Sequence, residues 1–283
     1  MRSRIEEGQK LMTEIDHVLT AGGSVLATLH KDGVAHLKLN RPEHANGLDL
    51  DLLTELHRVI MLLHGEDRVR AVLVTGEGTN FCAGGDVHTF LAKGVDLPAY
   101  IRVATAYLRL VATGLIRLKA PVVAAVHGYA VGGGGMGLVC ASDFVVAAQS
   151  AKFIAGATRV AMVPDAGVTV TLTHLVGLRR AMEILMLNPV IDAAQALEMG
   201  LVTRVVPDAA LLDQAWELAR TLATGAPAAL ANTKRLLWNG LGEGVEAAMP
   251  EENQAQEVLS GMQDAREGLA AVIEKRKPKF TGR

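Results

Sequence analysis

Residues 121–141, PVVAAVHGYAVGGGGMGLVCA, decide the fold that the sequence predicts. The apolar run at 121–126 predicts a buried strand, the type of strand that a parallel sheet requires. Four consecutive glycines follow at 132–135, and the apolar residues after them predict a helix over 136–141. A strand that leads through a tight turn into a helix is the repeating unit of α/β proteins. The stretch therefore predicts an α/β fold.

The chain on both sides of this stretch alternates between strand and helix patterns in the same way. Two strands joined at Lys31-Asp32-Gly33 are predicted in SVLATLHKDGVAHLKLN, because apolar and polar residues alternate in the second of them. From residue 169 onward the pattern is mostly helical, with a turn near 200–208. The other predicted elements are helices over 50–64 and 99–115 and strands over 70–76, 143–148 and 151–155.

The chain divides into three predicted segments. Residues 1–20 form a polar leader with helical character, residues 21–206 an α/β core, and residues 207–283 a helical C-terminal region. The start of the last segment has more apolar positions than one core face needs, which indicates burial against another subunit. These positions are Leu211, Leu212, Ala215, Trp216, Leu218, Ala219 and Leu222.

Composition argues against several functional classes. The net charge is −2 and half of the residues are hydrophobic, so the chain lacks the concentrated basic face that nucleic-acid binding needs. The two cysteines, Cys82 and Cys140, match no zinc spacing, and no metal site is predicted. Their small number fits a reducing compartment, and the charged N-terminus lacks the apolar segment of a signal peptide. A cytoplasmic protein is predicted.

Two other interpretations of the glycine-rich stretch are disfavoured. Residues 120–142 carry no formal charge and are long enough to span a bilayer, but six of them are glycine and the segment stands alone in mid-chain. The spacing of Gly132, Gly134 and Gly137 satisfies the dinucleotide fingerprint. However, these glycines do not come directly off the strand, and no Asp or Glu lies between residues 143 and 165 to bind a ribose.

The glycines themselves are compatible with two roles. They can let a helix pack tightly against a strand, and they can present bare N–H groups at a helix start to a ligand oxygen. A second glycine-rich turn, TGEGTNFCAGGDV at 75–87, also follows a predicted buried strand and leads into a helix. Two such turns in one sheet can each direct one N–H group at the same point, which suits a developing oxyanion.

Several motifs resemble those of the crotonase superfamily, also called enoyl-CoA hydratase/isomerase. They occur in the family's order from about residue 25 to the C-terminus. The motifs are LNRPEHANGLD (39–49), FCAGGDV (81–87), PVVAAVHGYAVGGGG (121–135), PDAG (164–167), AxEMGLV (196–202) and KRKPKF (275–280). The resemblance implies a crotonase-like spiral of ββα units, a C-terminal helical trimerisation segment, a homotrimer or a dimer of trimers, and an acyl-CoA thioester as ligand.

The resemblance also assigns residues to the ligand. The peptide N–H groups of Gly85 and Gly133 are implied to hold the thioester oxygen and to stabilise the enolate that forms when an alpha proton leaves. Coenzyme A enters as part of the substrate, so no separate cofactor is implied. Asp86 is also the expected N-cap of the helix that follows it. The implied substrate contacts are Ala45, Asn46, Leu48, Ala83, Asp86, Gly132, Met136, Ala157, Lys279 and Phe280.

The sequence departs from the family's hydratases at two positions. Those hydratases have one glutamate just after the glycine run and a second further along, and here the two positions are Met136 and Ala157. Neither side chain can activate water, and both are expected to line an acyl pocket together with Val168. Asp165 is a carboxylate at a suitable place, and its apolar surroundings predict a raised pKa. The same residue is also a good cap for a helix that starts near Gly167, so a structural role stays open.

A further likeness favours a catalytic role. The stretches AAQSAKF (147–153), VPDAG (163–167) and REGLAAVIEKRKPKFTG (266–282) are similar to the isomerase branch of the bacterial phenylacetate pathway. That branch also lacks the hydratase glutamates and implies a role for the aspartate of this motif. One base suffices for isomerisation, because it takes a proton from one carbon and returns it two carbons away. The sequence therefore predicts an enoyl-CoA isomerase with Asp165 as base. A hydratase and a non-catalytic acyl-CoA binder stay open as alternatives.

Overall fold

The computed structural model describes residues 14–225, 227, 230–239, 257–258, 260–276 and 278. The strands are β1 (Ile15–Thr20), β2 (Val25–His30), β3 (Val34–Leu39), β4 (Ala71–Gly76), β5 (Val122–Val126), β6 (Tyr129–Val131), β7 (Phe144–Ala148), β8 (Lys152–Ile154), β9 (Ile191–Asp192) and β10 (Arg204–Val206). The helices are α1 (Leu50–Gly65), α2 (Val87–Lys93), α3 (Leu97–Arg117), α4 (Gly132–Cys140), α5 (Val168–Val176), α6 (Leu178–Leu187), α7 (Ala193–Glu198), α8 (Leu211–Ala223) and α9 (Gln263–Ile273). Residues 230–239 are also helical.

The strands form two sheets. The larger sheet has the order β1-β2-β3-β4-β5-β7-β10, and the smaller has the order β6-β8-β9. The first three strands pair antiparallel, and all later neighbours in the large sheet are parallel. The predicted hairpin is confirmed, with Val25 paired to Leu39 and a φ of +81° at Gly33 in its turn. The buried apolar runs form the parallel strands, so the α/β class is confirmed.

Helix α8 belongs to the same core as the large sheet. It lies across β3, β4, β5 and β7, and its apolar face, which includes Ala215 and Trp216, is buried there. The predicted boundary at 206/207 therefore does not separate two cores. Of the seven apolar positions, some of which are expected to face another subunit, most are covered within the chain itself, whereas Leu212 is exposed.

The sequence analysis does not predict four of the described strands, namely β1, β6, β9 and β10. Residues 15–20, assigned to the leader, form β1 instead, while residues 1–13 lie outside the described part of the chain. Because β1 is an edge strand and mostly exposed, it lacks the apolar alternation that marks a strand. The turn predicted near 200–208 contains β10, which pairs with β7 in parallel. Gly200 and Pro207 on either side of this short strand indicate a turn, and the turn signal hides the strand.

Helix α4 begins at Gly132, earlier than the predicted start at residue 136. Glycine is a poor helix former in isolation, so local propensity argues against a helix at this point. Close packing explains it: a Cβ built on Gly134 would lie 3.0 Å from the Sγ of Cys82, and one built on Gly135 would lie 2.3 Å from the carbonyl oxygen of Cys82. The glycines are therefore needed where α4 crosses the other glycine-rich turn.

The segment at 120–142, weighed above as a membrane span, consists of β5, β6 and α4 instead of one long helix. A different stretch, Val87–Arg117, meets the length and hydropathy requirements of a span. It comprises α2, a short 3-10 turn and α3, and α3 packs against α1. The core helix of a soluble protein meets the same requirements.

Candidate active site

A cavity of about 230 Å³ lies where the two glycine-rich turns meet helices α2, α3 and α9. Both turns contribute backbone to its surface, and the remaining walls are mostly apolar. Among the lining residues, Asp165 and Arg159 are the ones with ionisable side chains. The apolar lining consists of Leu48, Leu53, Ala83, Val87, Phe90, Ile101, Ala104, Leu108, Val131, Ile154, Ala157, Val160, Met162, Val163, Leu269 and Val272.

In the first turn, the N–H group of Gly85 points away from the neighbouring segment at Leu48. Leu48 forms a parallel bridge with Gly85, in which the N–H of Leu48 donates to the carbonyl of Gly84 at 2.7 Å and the N–H of Asp86 donates to the carbonyl of Leu48 at 3.0 Å. These two bonds use the carbonyl of Gly84 and the N–H of Asp86, which face Leu48. In a parallel bridge, the N–H of the residue between them, Gly85, points away from the bridged segment. It makes no hydrogen bond with any described residue, and Gly85 lines the cavity.

The second turn brings Gly133 to the same cavity. Gly133 lies in the first turn of α4, where N–H groups have no acceptor within the helix. The residues that precede the two donors are in contact, because a Cβ built on Gly132 would lie only 3.6 Å from the Cα of Gly84. Both Gly84 and Gly132 have positive φ values, +95° and +62°, which glycine adopts without strain. The two N–H groups thus belong to adjoining turns of one cavity.

The carboxylate of Asp165 lies directly beside Gly133. A Cβ built on Gly133 would be 1.6 Å from the Oδ1 of Asp165 and 2.7 Å from its Cγ, so the carboxylate fills the space of a side chain at residue 133. Asp165 is buried, with 9% of its surface exposed, and it lines the cavity. Gly167, not Asp165, occupies the N-cap position of α5. Asp165, which carries the one carboxyl group among the lining residues, therefore lies against the backbone of Gly133.

The other ionisable lining residue, Arg159, lies at the exposed edge of the cavity. Its guanidinium donates to the backbone carbonyl of Asn188. Most of the other lining residues are apolar, Thr105 being the exception with a hydroxyl group, and hydrogen bonds to a developing charge are stronger in a largely apolar cavity than in water.

The structure brings four further predicted substrate contacts to the cavity: Leu48, Ala83, Gly132 and Ala157. Lys279 and Phe280 lie outside the described residues, so their predicted contact with coenzyme A stays a prediction.

Asp86 is an N-cap, as expected. Its Oδ1 accepts from the N–H groups of His88 and Thr89, each at 3.1 Å, at the start of α2. Burial alone would raise the pKa of Asp86, but hydrogen bonds from Thr89 and from the Arg41 guanidinium outweigh burial and lower it. Asp86 does not line the cavity, and its charge is already matched by protein groups.

Asn46 and Ala45 are in the loop before α1 and also do not line the cavity. Asn46 is fully buried; its side chain accepts from the N–H of Arg41 at 2.9 Å and donates to the carbonyls of Glu77 and Asn80 at 2.9 and 2.8 Å. Asn46 therefore links the loop before α1 to the loop after β4. A binding role for Ala45 and Asn46 stays a prediction.

Met136 and Val168, which are expected to line the acyl pocket, are not among the residues that line this cavity, so their contact with an acyl group stays a prediction. Met136 is 0% exposed and Val168 is 3% exposed, and both belong to the main core. Since α4 already begins at Gly132, Met136 lies one helical turn along and its side chain faces inward, while Gly133 and Gly134 reach the cavity.

Cys82, which precedes the lining residue Ala83, is held in its thiol form. Burial raises the pKa of Cys82 to about 12, and its thiol donates to the carbonyl of Asn46 at 3.1 Å. In the part of the chain that the structure describes, His, Cys, Asp and Glu side chains form no group of three that could hold a metal ion.

Sequence reasoning missed the walls that come from distant helices. Ile101, Ala104, Thr105 and Leu108 form one stripe of α3 at helical spacing, and Leu269 with Val272 closes the cavity from α9. The periodicity of 99–115 predicts an apolar face on this helix, but only tertiary structure determines that part of the face meets a cavity.

A family model described as enoyl-CoA hydratase/isomerase matches residues 30–283. The chain belongs to the enoyl-CoA hydratase/isomerase family. It is 38% identical over 252 residues to a probable enoyl-CoA hydratase of Rhodobacter capsulatus, a match that covers 89% of this chain and 96% of that protein. It is 33% identical over 255 residues to the 1,2-epoxyphenylacetyl-CoA isomerase of Escherichia coli K12, with the same two coverages.

The fold of this family member is similar to solved structures of the same family. A crystal structure of an enoyl-CoA hydratase from Mycobacterium avium subsp. paratuberculosis K-10 superposes with a TM-score of 0.84 at 28% identity, covering 92% of this chain and all of that one. The crotonase-like fold is therefore confirmed. The family acts on acyl-CoA thioesters, but hydratase and isomerase names both occur among the relatives, so membership alone does not select the reaction.

Proposed function

We propose that this family member is an enoyl-CoA isomerase that moves a double bond with Asp165 as its single base. The observation that carries the proposal is the contact between the carboxylate of Asp165 and Gly133 inside an apolar cavity. A thioester oxygen bound to the N–H groups of Gly85 and Gly133 would have its alpha carbon next to that carboxylate.

The proposed reaction has two proton transfers. Asp165 takes a proton from C2 of a 3-enoyl-CoA, and the electron pair of that C–H bond enters the thioester to form an enolate whose oxygen accepts from both N–H groups. The carbonyl then re-forms, the double bond shifts to C2–C3, and the protonated Asp165 returns its proton to C4. Atoms and electrons balance within the substrate, so we propose no cofactor beyond the coenzyme A that the substrate carries.

Two features favour isomerisation over hydration. Hydration needs a group that activates water in addition to a proton source. At the two positions where the sequence lacks the hydratase glutamates, Met136 is buried in the core and Ala157 presents a methyl group to the cavity. Asp165 alone suffices for a transfer between two carbons on one side of a substrate.

Other parts of the proposal follow from the family resemblance. Leu48 and Ala83, which line the cavity, are proposed to contact the adenine and pantetheine parts of coenzyme A together with Ala45 and Asn46. Lys279 and Phe280 are proposed to contact coenzyme A as well. A homotrimer or a dimer of trimers is proposed, which the exposed stripe Leu178, Met182 and Met186 on α6 supports, because subunit association buries such patches. Size-exclusion chromatography with light scattering tests this, and a monomeric mass would contradict it. A cytoplasmic location and the lack of membrane and nucleic-acid partners stay predictions.

Separate incubations with a 3-enoyl-CoA and a 2-enoyl-CoA test the function. We expect conversion of the 3-enoyl to the 2-enoyl substrate, and no 3-hydroxyacyl-CoA from the 2-enoyl substrate beyond a trace. Hydration of the 2-enoyl substrate as the main reaction would support the hydratase alternative. Saturable binding with no turnover of either substrate would support a non-catalytic acyl-CoA binder. Both outcomes contradict the proposal.

A further inference from the structure

The residue Asn188, which follows α6, is hydrogen-bonded to one wall of the cavity without lining it. It is buried, with 3% of its surface exposed, and has a left-handed backbone, φ +52° and ψ +51°. Asparagine is among the few residues other than glycine that adopt this conformation readily. Its position is fixed by a bond from its own N–H to the carbonyl of Ile184 at 3.1 Å.

The side chain of Asn188 holds two residues of the turn at 156–160. Its Oδ1 accepts from the N–H of Gly156 at 2.7 Å, and its Nδ2 donates to the Oγ1 of Thr158 at 2.6 Å. A backbone N–H can only donate, so these contacts settle which end of the amide faces Gly156. The backbone carbonyl of Asn188 accepts from Arg159, and Thr158 in turn donates to the carbonyl of Leu185 at 3.1 Å.

The turn that Asn188 holds is a cavity wall, because Gly156, Ala157, Arg159 and Val160 all line the cavity. It also adjoins the second glycine-rich turn. Strand β8, which leads into it, pairs Ile154 with Val131, and Val131 immediately precedes the glycine run. A displacement of the turn would therefore change both the room for the acyl group and the support of the Gly133 turn.

We propose that Asn188 is a positioning residue that determines acyl selectivity by fixing the turn at 156–160. It touches no substrate and acts through the three residues it bonds. The kcat/KM measurement rests on the proposed function, because it needs turnover of a 3-enoyl-CoA. The Kd measurement with saturated acyl-CoA esters does not.

The decisive variant is Asn188→Gly, which keeps the left-handed backbone and the carbonyl but removes the amide. Thr158→Val removes one of the same bonds from the other side. Thr203→Val is the matched control: the Oγ1 of Thr203 accepts from the N–H of Val145 at 3.0 Å, so this change also deprives a backbone N–H of its acceptor, away from the cavity. Each variant is assayed with a short-chain and a ring-bearing 3-enoyl-CoA, for kcat and KM separately, and with the matching saturated acyl-CoA esters for Kd.

We expect Asn188→Gly to change the ratio of kcat/KM between the two substrates by about tenfold, the order expected when the two buried hydrogen bonds of the amide to the turn are lost, and to change the Kd ratio in the same direction. Thr158→Val, which also removes the bond from Thr158 to the carbonyl of Leu185, should change both ratios in the same direction, and the double variant should change them by less than the sum, because both substitutions act on one turn. Thr203→Val should lower the thermal midpoint with both ratios unchanged. The proposal is wrong if Asn188→Gly and Thr158→Val behave like Thr203→Val, with the kcat/KM ratio and the Kd ratio both within twofold of those of the unmodified protein. Asn188 would then be only structural. If the unmodified protein does not isomerise either substrate but the Kd ratio changes in Asn188→Gly and Thr158→Val, the proposed function is wrong and the positioning role of Asn188 is supported.

Discussion

A methyl group added at Gly133 would occupy the space that the carboxylate of Asp165 now fills. The new carbon would lie 1.6 Å from Oδ1, and non-bonded atoms keep at least 3.0 Å apart, so the carboxylate must withdraw by about 1.4 Å. Gly133 has helical backbone and no positive φ, so alanine itself is unstrained there and gains helix propensity. The obstacle is the end of a flexible side chain, which can rotate. The fold should therefore survive Gly133→Ala.

Catalysis should not survive it equally well. A misplacement of about 1 Å in a catalytic group costs on the order of a hundredfold in rate, so we expect kcat for 3-enoyl-CoA isomerisation to fall by about 10²- to 10³-fold, or ~3–4 kcal/mol in the barrier. The assay follows formation of the conjugated 2-enoyl thioester, together with Kd for a saturated acyl-CoA and the thermal midpoint. Gly65→Ala is the control, because nothing lies within 4 Å of a Cβ built there, and it should leave kcat unchanged. Unchanged turnover in Gly133→Ala would refute the reasoning, since the base would then work without its present position.

Three further outcomes are expected. Asp165→Asn should abolish isomerisation while acyl-CoA affinity stays within a few-fold; unchanged turnover would remove Asp165 from the mechanism. Burial lowers the pKa of His36 from 6.5 to about 4, so the unfolded chain binds the extra proton first and stability falls as pH drops from 6.5 toward 4. Thermal midpoints should show this slope in the unmodified protein and less of it in His36→Asn; equal slopes would contradict the assignment. Lys234→Met should cost about 3 kcal/mol in denaturant unfolding, because it leaves the buried carboxylate of Asp143, 2.7 Å from Nζ, without its cation. Lys31→Met, which breaks an exposed pair, is its control and should leave the unfolding midpoint unchanged; an equal loss in both would contradict the role of burial.

The predictable part of the fold is the part whose burial is continuous. Strands β4 and β5 are apolar because both faces are covered, and α1 has a regular apolar stripe, so each has a local pattern. By contrast, β1 is an exposed edge, and β9 and β10 have two and three residues, so their partners and not their sequences define them. The start of α4 runs against local propensity because packing against Cys82 selects glycine there.

The part of the candidate site that the sequence predicts consists of glycines in tight turns and one aspartate in an apolar stretch, because both stand out from their neighbours in the sequence. Gly85, Gly133 and Asp165 do line one cavity, and the contact between the last two explains why residue 133 has no side chain. Met136 does not line the cavity, and the direction of its side chain could not be predicted because it depends on where α4 starts. The hydrogen bond between Gly156 and Asn188 could not be predicted, because the sequence pattern around each of these two residues is the same with or without the bond.

The central claim is that two backbone N–H groups hold one oxygen above a single carboxyl group. A crystal structure of the Asp165→Asn variant with a bound 3-enoyl-CoA tests it most directly. The account predicts the thioester oxygen about 2.7–3.1 Å from the nitrogens of both Gly85 and Gly133, with C2 and C4 facing the side chain at position 165. A thioester oxygen bound elsewhere, or an acyl chain whose C2 and C4 lie away from position 165, would contradict it.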